Sequence, residues 1–301
     1  MLSSISDSLA SSRQFEMRHS AGGRRGITVT EVLVTIGLIS VLLGLLLPAI
    51  MAARSSAARV SCSNQLRQIA LAASQYESIY SAFPGRRFFI QVRTGLEISG
   101  DQRTVALFAC PSDRANANGD RSEGKLSYAV NDGFESSKSE HQGFLHSHSG
   151  VVKASEIRDG LSNTAMIAER LSFPWYAMQS VAWNERRNDW KRTLLTFREA
   201  TSSPDEFEAI CNNVAQFPLV VWYVTDRYHH LRTPNSQGCV RVDTNGFAIG
   251  EKQYGVGISA GSTHPGGVFV GYCDGSVQFV SDTISLSIWR AQGTRSGGEV
   301  F

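Results

Sequence analysis

The sequence predicts an α+β protein: one long N-terminal α-helix, with a membrane half and an amphipathic half, packed on a largely antiparallel β head. Three observations predict it. Residues 32–53 are an uncharged apolar run. Apolar side chains then recur every three to four residues as far as Tyr80. Near the C-terminus, Asp274-Gly275 separates two short alternating runs. The 301 residues suffice for one large domain or two small ones. With 42% hydrophobic and 19% charged residues, the chain is neither a disordered tail nor a coiled coil. Lys and Arg number 29 against 27 Asp and Glu, a net +2 that gives no electrostatic case for a nucleic-acid partner. Residues 1–26 alone carry that excess through Arg13, Arg18, Arg24 and Arg25 against Asp7 and Glu16.

The first element is the apolar helix. Val32 to Ala53 is VLVTIGLISVLLGLLLPAIMAA, and about 20 such residues cross a bilayer as a helix. A soluble core helix would show a polar stripe, and only Thr35 and Ser40 offer one. Arg24 and Arg25 precede the run and set the N-terminal side as cytoplasmic, with the head in the periplasm or cell exterior. Arg54 and Arg59 follow it, as they would if the helix continued out of the membrane. An ordinary signal peptide has a shorter apolar region with its cleavage site after it. Here the informative feature comes first: Glu31 stands at the start of the apolar run. A carboxylate there reads either as a functional group seeking a cation or as a helix-start acid favoured by the dipole. Pro48 removes one backbone bond and kinks the helix near the end of the span.

Beyond Pro48 the helix continues. Leu66, Ile69, Ala70, Ala73, Tyr76 and Tyr80 form its stripe, which stops at Phe83-Pro84-Gly85. The expected organisation is therefore a leader over 1–26, the helix over 27–83 and a head over 84–301. Within the head, 86–260 reads as strands and loops, with Val105–Cys110 a strand and about 175–255 an insertion that carries specificity. The last strands are a hairpin with a two-residue Asp274-Gly275 turn. That register pairs Tyr272 with Val277 and Val270 with Phe279. It puts Val268, Val270, Tyr272, Val277 and Phe279 on the core face, and Cys273 opposite with Ser276 and Gln278.

Two stretches carry family resemblances. Arg24-Arg25-Gly26-Ile27-Thr28-Val29-Thr30-Glu31 resembles the N-terminal signature of type IV prepilins: a basic leader, a Gly, an apolar residue and a Glu fifth after the cut. The resemblance implies a pilin-like fold and cleavage after Gly26 by a prepilin peptidase. It also implies N-methylation of Ile27, and pairing of Glu31 with the terminal amine of a neighbouring subunit in a filament. Pro48 falls where such helices often carry one. Ile27 stands in place of the usual Phe, and the leader is longer than most; a start at Met17 would shorten it.

The head resembles a large uncharacterised bacterial family with the same N-terminal segment, sometimes labelled solute-binding-like. His264 followed nine residues later by Asp274-Gly275 matches its H-x(9)-D-G signature. Further similar stretches are Cys62–Ile69, Cys110-Pro111-Ser112-Asp113, Asp159–Thr164, Glu169-Arg170 and Thr294–Val300. Cys62 and Cys110 lie in two of these motifs, which makes a bridge between helix and head the leading pairing. Cys211 with Cys239 is the next, leaving Cys273 free; five cysteines leave other pairings open.

Candidate chemistry is sparse. His141, His146 and His148 form an H-x4-H-x-H cluster that reads first as a solvated loop and second as a metal site. Asp113, Asn116, Asn118 and Asp120 offer oxygens at close spacing but do not follow the EF-hand pattern. A polar turn leads, and calcium, bound by some pseudopilins, is the only cofactor in view. Ser262, His264 and Asp274 are triad residue types without a nucleophile elbow, so His264 is expected to hydrogen-bond the hairpin backbone or Asp274. No P-loop or dinucleotide fingerprint appears. The sequence therefore reads as a non-enzymatic, inner-membrane, pilin-like or type II secretion pseudopilin-like protein. Its partners are a prepilin peptidase and copies of itself through the N-terminal helices. The alternative is a membrane-anchored extracytoplasmic solute- or carbohydrate-binding protein. An extracellular hydrolase using His264 and Asp274 stands third.

Overall fold

The computed structural model describes residues 26–85, 87–96, 105–113, 126–133, 143–145, 151–171, 194–199, 201–213, 226–242, 244 and 256–298. Residues 1–51 and 52–301 form two compact units.

In the first unit the described residues are the start of α1 (Val29–Tyr80) and the three residues before it. Thr28 caps the helix. Its N–H donates to Glu31 Oε2 (2.8 Å), and Glu31 N–H donates back to Thr28 Oγ1 (3.3 Å). This is a reciprocal capping box that satisfies two orphan donors of the first turn. From Gly26 to Ala57 every residue is exposed, including the Leu, Ile and Val side chains of the apolar run. The helix continues on both sides of Pro48.

In the second unit α1 turns amphipathic. Cys62, Leu66, Ile69, Ala70 and Ala73 are buried along one face, as their spacing predicts. Tyr76 is half-buried and Tyr80 exposed, so the stripe fades one turn before the helix ends. Ser81 takes a φ of 55°, and Phe83 N–H then bonds Val152 O (2.8 Å), ending the helix at the expected breaker.

Among the described residues the head carries a five-stranded sheet and a three-stranded sheet. The strands are β1 (Tyr128–Asn131), β2 (Ala165–Glu169), β3 (Leu194–Phe197), β4 (Arg227–Tyr228), β5 (Gly238–Arg241), β6 (Val256–Gly257), β7 (Gly267–Tyr272) and β8 (Val277–Ser281). The larger sheet runs β4-β1-β2-β7-β8 and the smaller β3-β5-β6. Both are antiparallel except for one parallel pair each, β1 with β4 and β3 with β5. The described parts of 175–255 supply β3, β4, β5 and a helix, α3 (Pro204–Asn213).

Both faces of the larger sheet are covered. On one, Leu66, Ile69, Ala70 and Ala73 of α1 share a buried cluster with Met166, Ile167 and Cys273. On the other, Val268, Val270 and Tyr272 surround Trp289 of α4 (Leu286–Gln292). A bulge between Ala165 and Ile167 sends two successive side chains, Met166 and Ile167, into the α1-side cluster. Gly271 lets α1 approach closely: a Cβ there would sit 3.0 Å from Ile167 Cγ2 and 3.4 Å from Ala70 Cβ.

Three expectations need correction. The hairpin register is one residue off. Val270 pairs with Gln278, Phe269 with Phe279 and Val268 with Val280. The turn takes three residues, Cys273-Asp274-Gly275, with Gly275 N–H on Tyr272 O (3.0 Å) and Gly275 at a φ of 84°. A turn closed by a left-handed Gly adds one residue and flips the pairing. Cys273, Phe269 and Val277 therefore pack with the α1-side cluster, while Val268, Val270 and Tyr272 lie in the other. Because both faces are buried, apolar alternation had no solvent side to choose.

Second, Val105–Cys110 is no strand but contains a 3-10 turn at Ala106–Phe108. Its buried residues are Val105, Phe108 and Cys110, and the first two keep the spacing of a threefold turn rather than alternation. Third, the region read as strands and loops includes α2 (Phe88–Gly95) and α3. Ser203-Pro204-Asp205-Glu206 supplies the helix start, with Glu206 N–H on Ser203 Oγ (3.1 Å) and Pro204 as the first residue.

Candidate functional site

A buried polar cluster lies where α1 meets the sheet. Cys62 of α1 is bonded to Cys110, with Cα atoms 5.1 Å apart. Cys110 opens a turn closed by Asp113 N–H on Cys110 O (3.0 Å). Glu169, the last residue of β2, lies beside it. Its Oε1 is 3.2 Å from His264 Nε2, and both side chains are nearly fully buried. A carboxylate only accepts, so the imidazole donates Nε2–H. Glu169 Oε2 accepts Phe269 N–H (2.9 Å). Cys110 Sγ is 3.9 Å from His264 Nε2 and 4.0 Å from Glu169 Oε1.

The backbone around His264 is fixed by side chains. Ser262 Oγ accepts His264 N–H (2.9 Å), and Asn235 Oδ1 accepts Ser262 N–H (2.9 Å). Asn235 itself sits at a φ of 61°, a conformation Asn tolerates better than most residues. Thr263 Oγ1 donates to Ser112 O (2.9 Å), tying this loop to the Cys110 turn. Tyr128 OH reaches Cys62 O (3.0 Å) and Gln65 Oε1 (2.9 Å). Burial raises the Tyr128 pKa well above its ordinary value, and the carboxylates of Glu169 and Asp113 add to that.

His264 thus meets neither Asp274 nor the hairpin backbone, as the sequence had suggested. It meets Glu169. Asp274 lies at the far end of β7, where its Oδ1 accepts Ser276 N–H (2.9 Å). A six-residue strand separates the two motif residues by about 20 Å. The Ser262, His264 and Asp274 set is therefore not assembled as a triad. Gly275 serves the turn. The free Cys273 is buried, and burial followed by the Asp274 charge pushes its thiol pKa up, which leaves it unreactive.

The expected disulfides form, Cys62–Cys110 and also Cys211–Cys239. Of the calcium set, Asp113 is buried and accepts the Ser127 hydroxyl (3.3 Å). Asn116, Asn118 and Asp120 lie outside the described residues, as do His141, His146, His148, Arg24 and Arg25. Gly26, Ile27, Glu31 and Pro48 are exposed and lie in the first unit.

Sequence reasoning missed the role of Asp159. Its carboxylate accepts Gly297 N–H (2.8 Å), Gly298 N–H (2.9 Å) and Thr294 Oγ1–H (3.2 Å). Cys273 N–H and Asp274 N–H bond Thr164 O and Leu161 O (both 3.1 Å). The motif stretches 159–164, 273–275 and 294–298 therefore converge as one structural knot. The Glu169 pairing was also missed. Its signal was present: a carboxylate that continues the apolar run Ala165-Met166-Ile167-Ala168 requires a buried partner, though Arg170 next to it in sequence was the partner expected.

A family model described as protein of unknown function (DUF1559), labelled SBP_bac_10, matches residues 51–95 and 91–287. The chain belongs to this family. The match contains Cys62, Cys110, Glu169, His264 and Asp274, so the DUF1559 region holds the whole polar cluster. Gly26, Ile27, Glu31 and Pro48 precede it. No curated protein and no solved structure matches this DUF1559 chain.

Proposed function

We propose that this DUF1559 protein is a pilin-like or pseudopilin-like subunit anchored in the inner membrane. Its N-terminus is cytoplasmic and its head lies in the periplasm or outside the cell. A prepilin peptidase cuts it after Gly26 and methylates Ile27, and the processed helices associate with one another, as in a pilus or a type II secretion pseudopilus. The protein is then the substrate of an enzyme rather than an enzyme. It needs no cofactor and no nucleic-acid partner.

The observation that carries this reading is the exposure of residues 26–57. Among the described residues one helix is long and apolar enough to cross a membrane, and the residues of its first half are exposed. A lipid phase, or other copies of the same helix, supplies the missing surface. Glu31 suits assembly as well as capping. Its Oε2 takes both donors of Thr28, and among the described residues Oε1 has no partner. That oxygen is open to the amine of a neighbouring Ile27. The capping box also favours a second reading, because a capped Glu31 already has its role within the monomer. An anchored solute- or carbohydrate-binding protein would require no more.

Intact-mass and N-terminal analysis after coexpression with a prepilin peptidase tests the proposal. A chain beginning at N-methylated Ile27, and no such product from Gly26→Ala, is the expected result. An uncut chain, or one cut after the apolar run, overturns it and leaves the anchored or secreted binding protein. If cutting occurs, Glu31→Ala is expected to abolish crosslinking between N-terminal helices without changing the folding of the head.

A further inference from the structure

Four buried ligand atoms converge in the head from four separate segments. Cys62 Sγ, Cys110 Sγ, Glu169 Oε1 and His264 Nε2 all lie within 4.8 Å of one another. They come from α1, the Cys110–Asp113 turn, the end of β2 and the loop before β7. Two thiolates, one imidazole and one carboxylate form a donor set suited to zinc. In the oxidised chain the disulfide occupies both sulfurs.

We infer that reduction of Cys62–Cys110 converts this cluster into a tetrahedral Zn2+ site, and that the ion then replaces the disulfide as the link between α1 and the sheet. The inference is independent of the pilin-like reading.

The distances fit. With Zn–S of about 2.3 Å and Zn–N and Zn–O of about 2.0–2.2 Å, a tetrahedron has S···N and S···O edges of about 3.5 Å and an N···O edge of about 3.4 Å. The corresponding separations at Cys110, His264 and Glu169 are 3.9, 4.0 and 3.2 Å. These three ligands need to shift by only tenths of an ångström. Cys62, freed from its bond, reaches the fourth position by side-chain rotation. The outer shell already exists. Phe269 N–H holds Glu169 Oε2 and leaves Oε1 toward the site. The Ser262 turn and the edge-on Phe269 ring fix the imidazole. The ligands are buried, but Pro111 and Thr263, each next to one of them in sequence, are exposed.

The chemistry balances. A dithiol donor gives two electrons and two protons to the S–S bond and becomes a disulfide itself, leaving two cysteine thiols. Zn2+ then displaces both thiol protons. His264 binds through Nε2 as its Nδ1–H tautomer, and Glu169 Oε1 exchanges its bond to Nε2–H for the metal.

The test uses the full chain in detergent with Co2+ as the probe. A phosphine reduces the protein, becoming its oxide with oxygen from water, and is removed under anaerobic conditions before Co2+ is added. The reduced chain is expected to take up one Co2+, with thiolate charge-transfer bands, tetrahedral d–d bands and displacement by one equivalent of Zn2+. The oxidised chain is expected to bind none. His264→Ala and Glu169→Gln, reduced alike, should lose at least tenfold in affinity, while the Cys211→Ser/Cys239→Ser pair should keep it. A reduced chain with counted free thiols and no tetrahedral spectrum overturns the inference. So does wild-type affinity in His264→Ala, which would assign the metal to thiols alone. If a variant fails to fold, the native spectrum still decides, because a four-thiolate signature excludes the mixed donor set.

Discussion

The two halves of α1 use the same helix-forming residues and reach opposite ends. Over 29–51 the side chains are larger and more apolar, yet all are exposed. Over 62–73 they include three alanines, yet Leu66, Ile69, Ala70 and Ala73 are fully buried. Burial is therefore set by what the rest of the chain brings to the helix and not by hydrophobicity. The second half has a sheet whose Gly271 admits it and a disulfide that fixes it. Residues 29–51 are exposed among the described residues. Their apolar surface is stabilising only in a medium as apolar as itself.

Removing side chains from each half breaks or sharpens that contrast most strongly. Leu66→Ala deletes a fully buried side chain between α1 and the sheet and is expected to cost the head about 2–5 kcal/mol. Leu43→Ala removes a side chain that is 60% exposed and should change head stability by less than about 0.5 kcal/mol. Thermal unfolding in one detergent, followed by near-UV circular dichroism, measures both. Equal losses would mean that the first half also packs on protein, and the contrast would fall.

Acid is the second lever, because it reaches a buried histidine of the second unit. His230 is fully buried. Its Nδ1–H donates to Trp289 O (2.6 Å) and its Nε2 accepts from Tyr228 OH (3.0 Å), an arrangement that uses the neutral ring. Burial lowers its pKa from 6.5 to about 3, with the His229 charge lowering it further and the Trp289 bond opposing. The unfolded chain therefore binds the proton first. Stability is complete above about pH 6.5 and is lost as pH falls from there toward 3. The head's thermal midpoint is expected to drop by several degrees between pH 7 and 4. Far-UV signal from residues 29–51, where no histidine or lysine occurs, should persist in detergent. His230→Gln should reduce the pH dependence and leave the part carried by His229, whose pKa burial also lowers to about 3; an unchanged slope would assign it to other groups.

The same contrast explains what the sequence disclosed. The span, the stripe and the helix stop were legible because each is local: a run, a spacing and a Pro-Gly breaker. The Cys62–Cys110 bridge was legible through two motifs. The hairpin's existence was legible too, but not its register, because Phe269 and Val270 are apolar neighbours that both find a covered face. The His264–Glu169 pair was hidden for a different reason. Its members are far apart in sequence, and only the β2–β7 pairing sets Glu169 beside Phe269. The role of Asp159 was hidden because two of its partners, Gly297 and Gly298, offer backbone N–H groups that leave no side-chain signature.

The smallest expected effect concerns Arg59, one of the two arginines that follow the apolar run. Its guanidinium lies 3.9 Å from the Phe279 ring centroid and 5.6 Å from that of Phe269. The two rings meet edge to face at 5.1 Å. Arg59 is half-buried, so this stacking is worth about 0.5–1 kcal/mol. The shifted hairpin register matters here, because it places Phe269 opposite Phe279 and so builds the aromatic pair under the cation. Arg59→Gln should lower head stability by about that amount, and Arg59→Lys should recover only part of it, since an ammonium cannot stack as a plane. Arg54, exposed one and a half turns earlier, has no ring contact among the described residues. Arg54→Gln is therefore expected to leave the unfolding midpoint unchanged. A double-mutant cycle of Arg59→Gln with Phe279→Leu isolates the pair. A coupling near zero would mean that Arg59 serves only as a charge at the end of the apolar half.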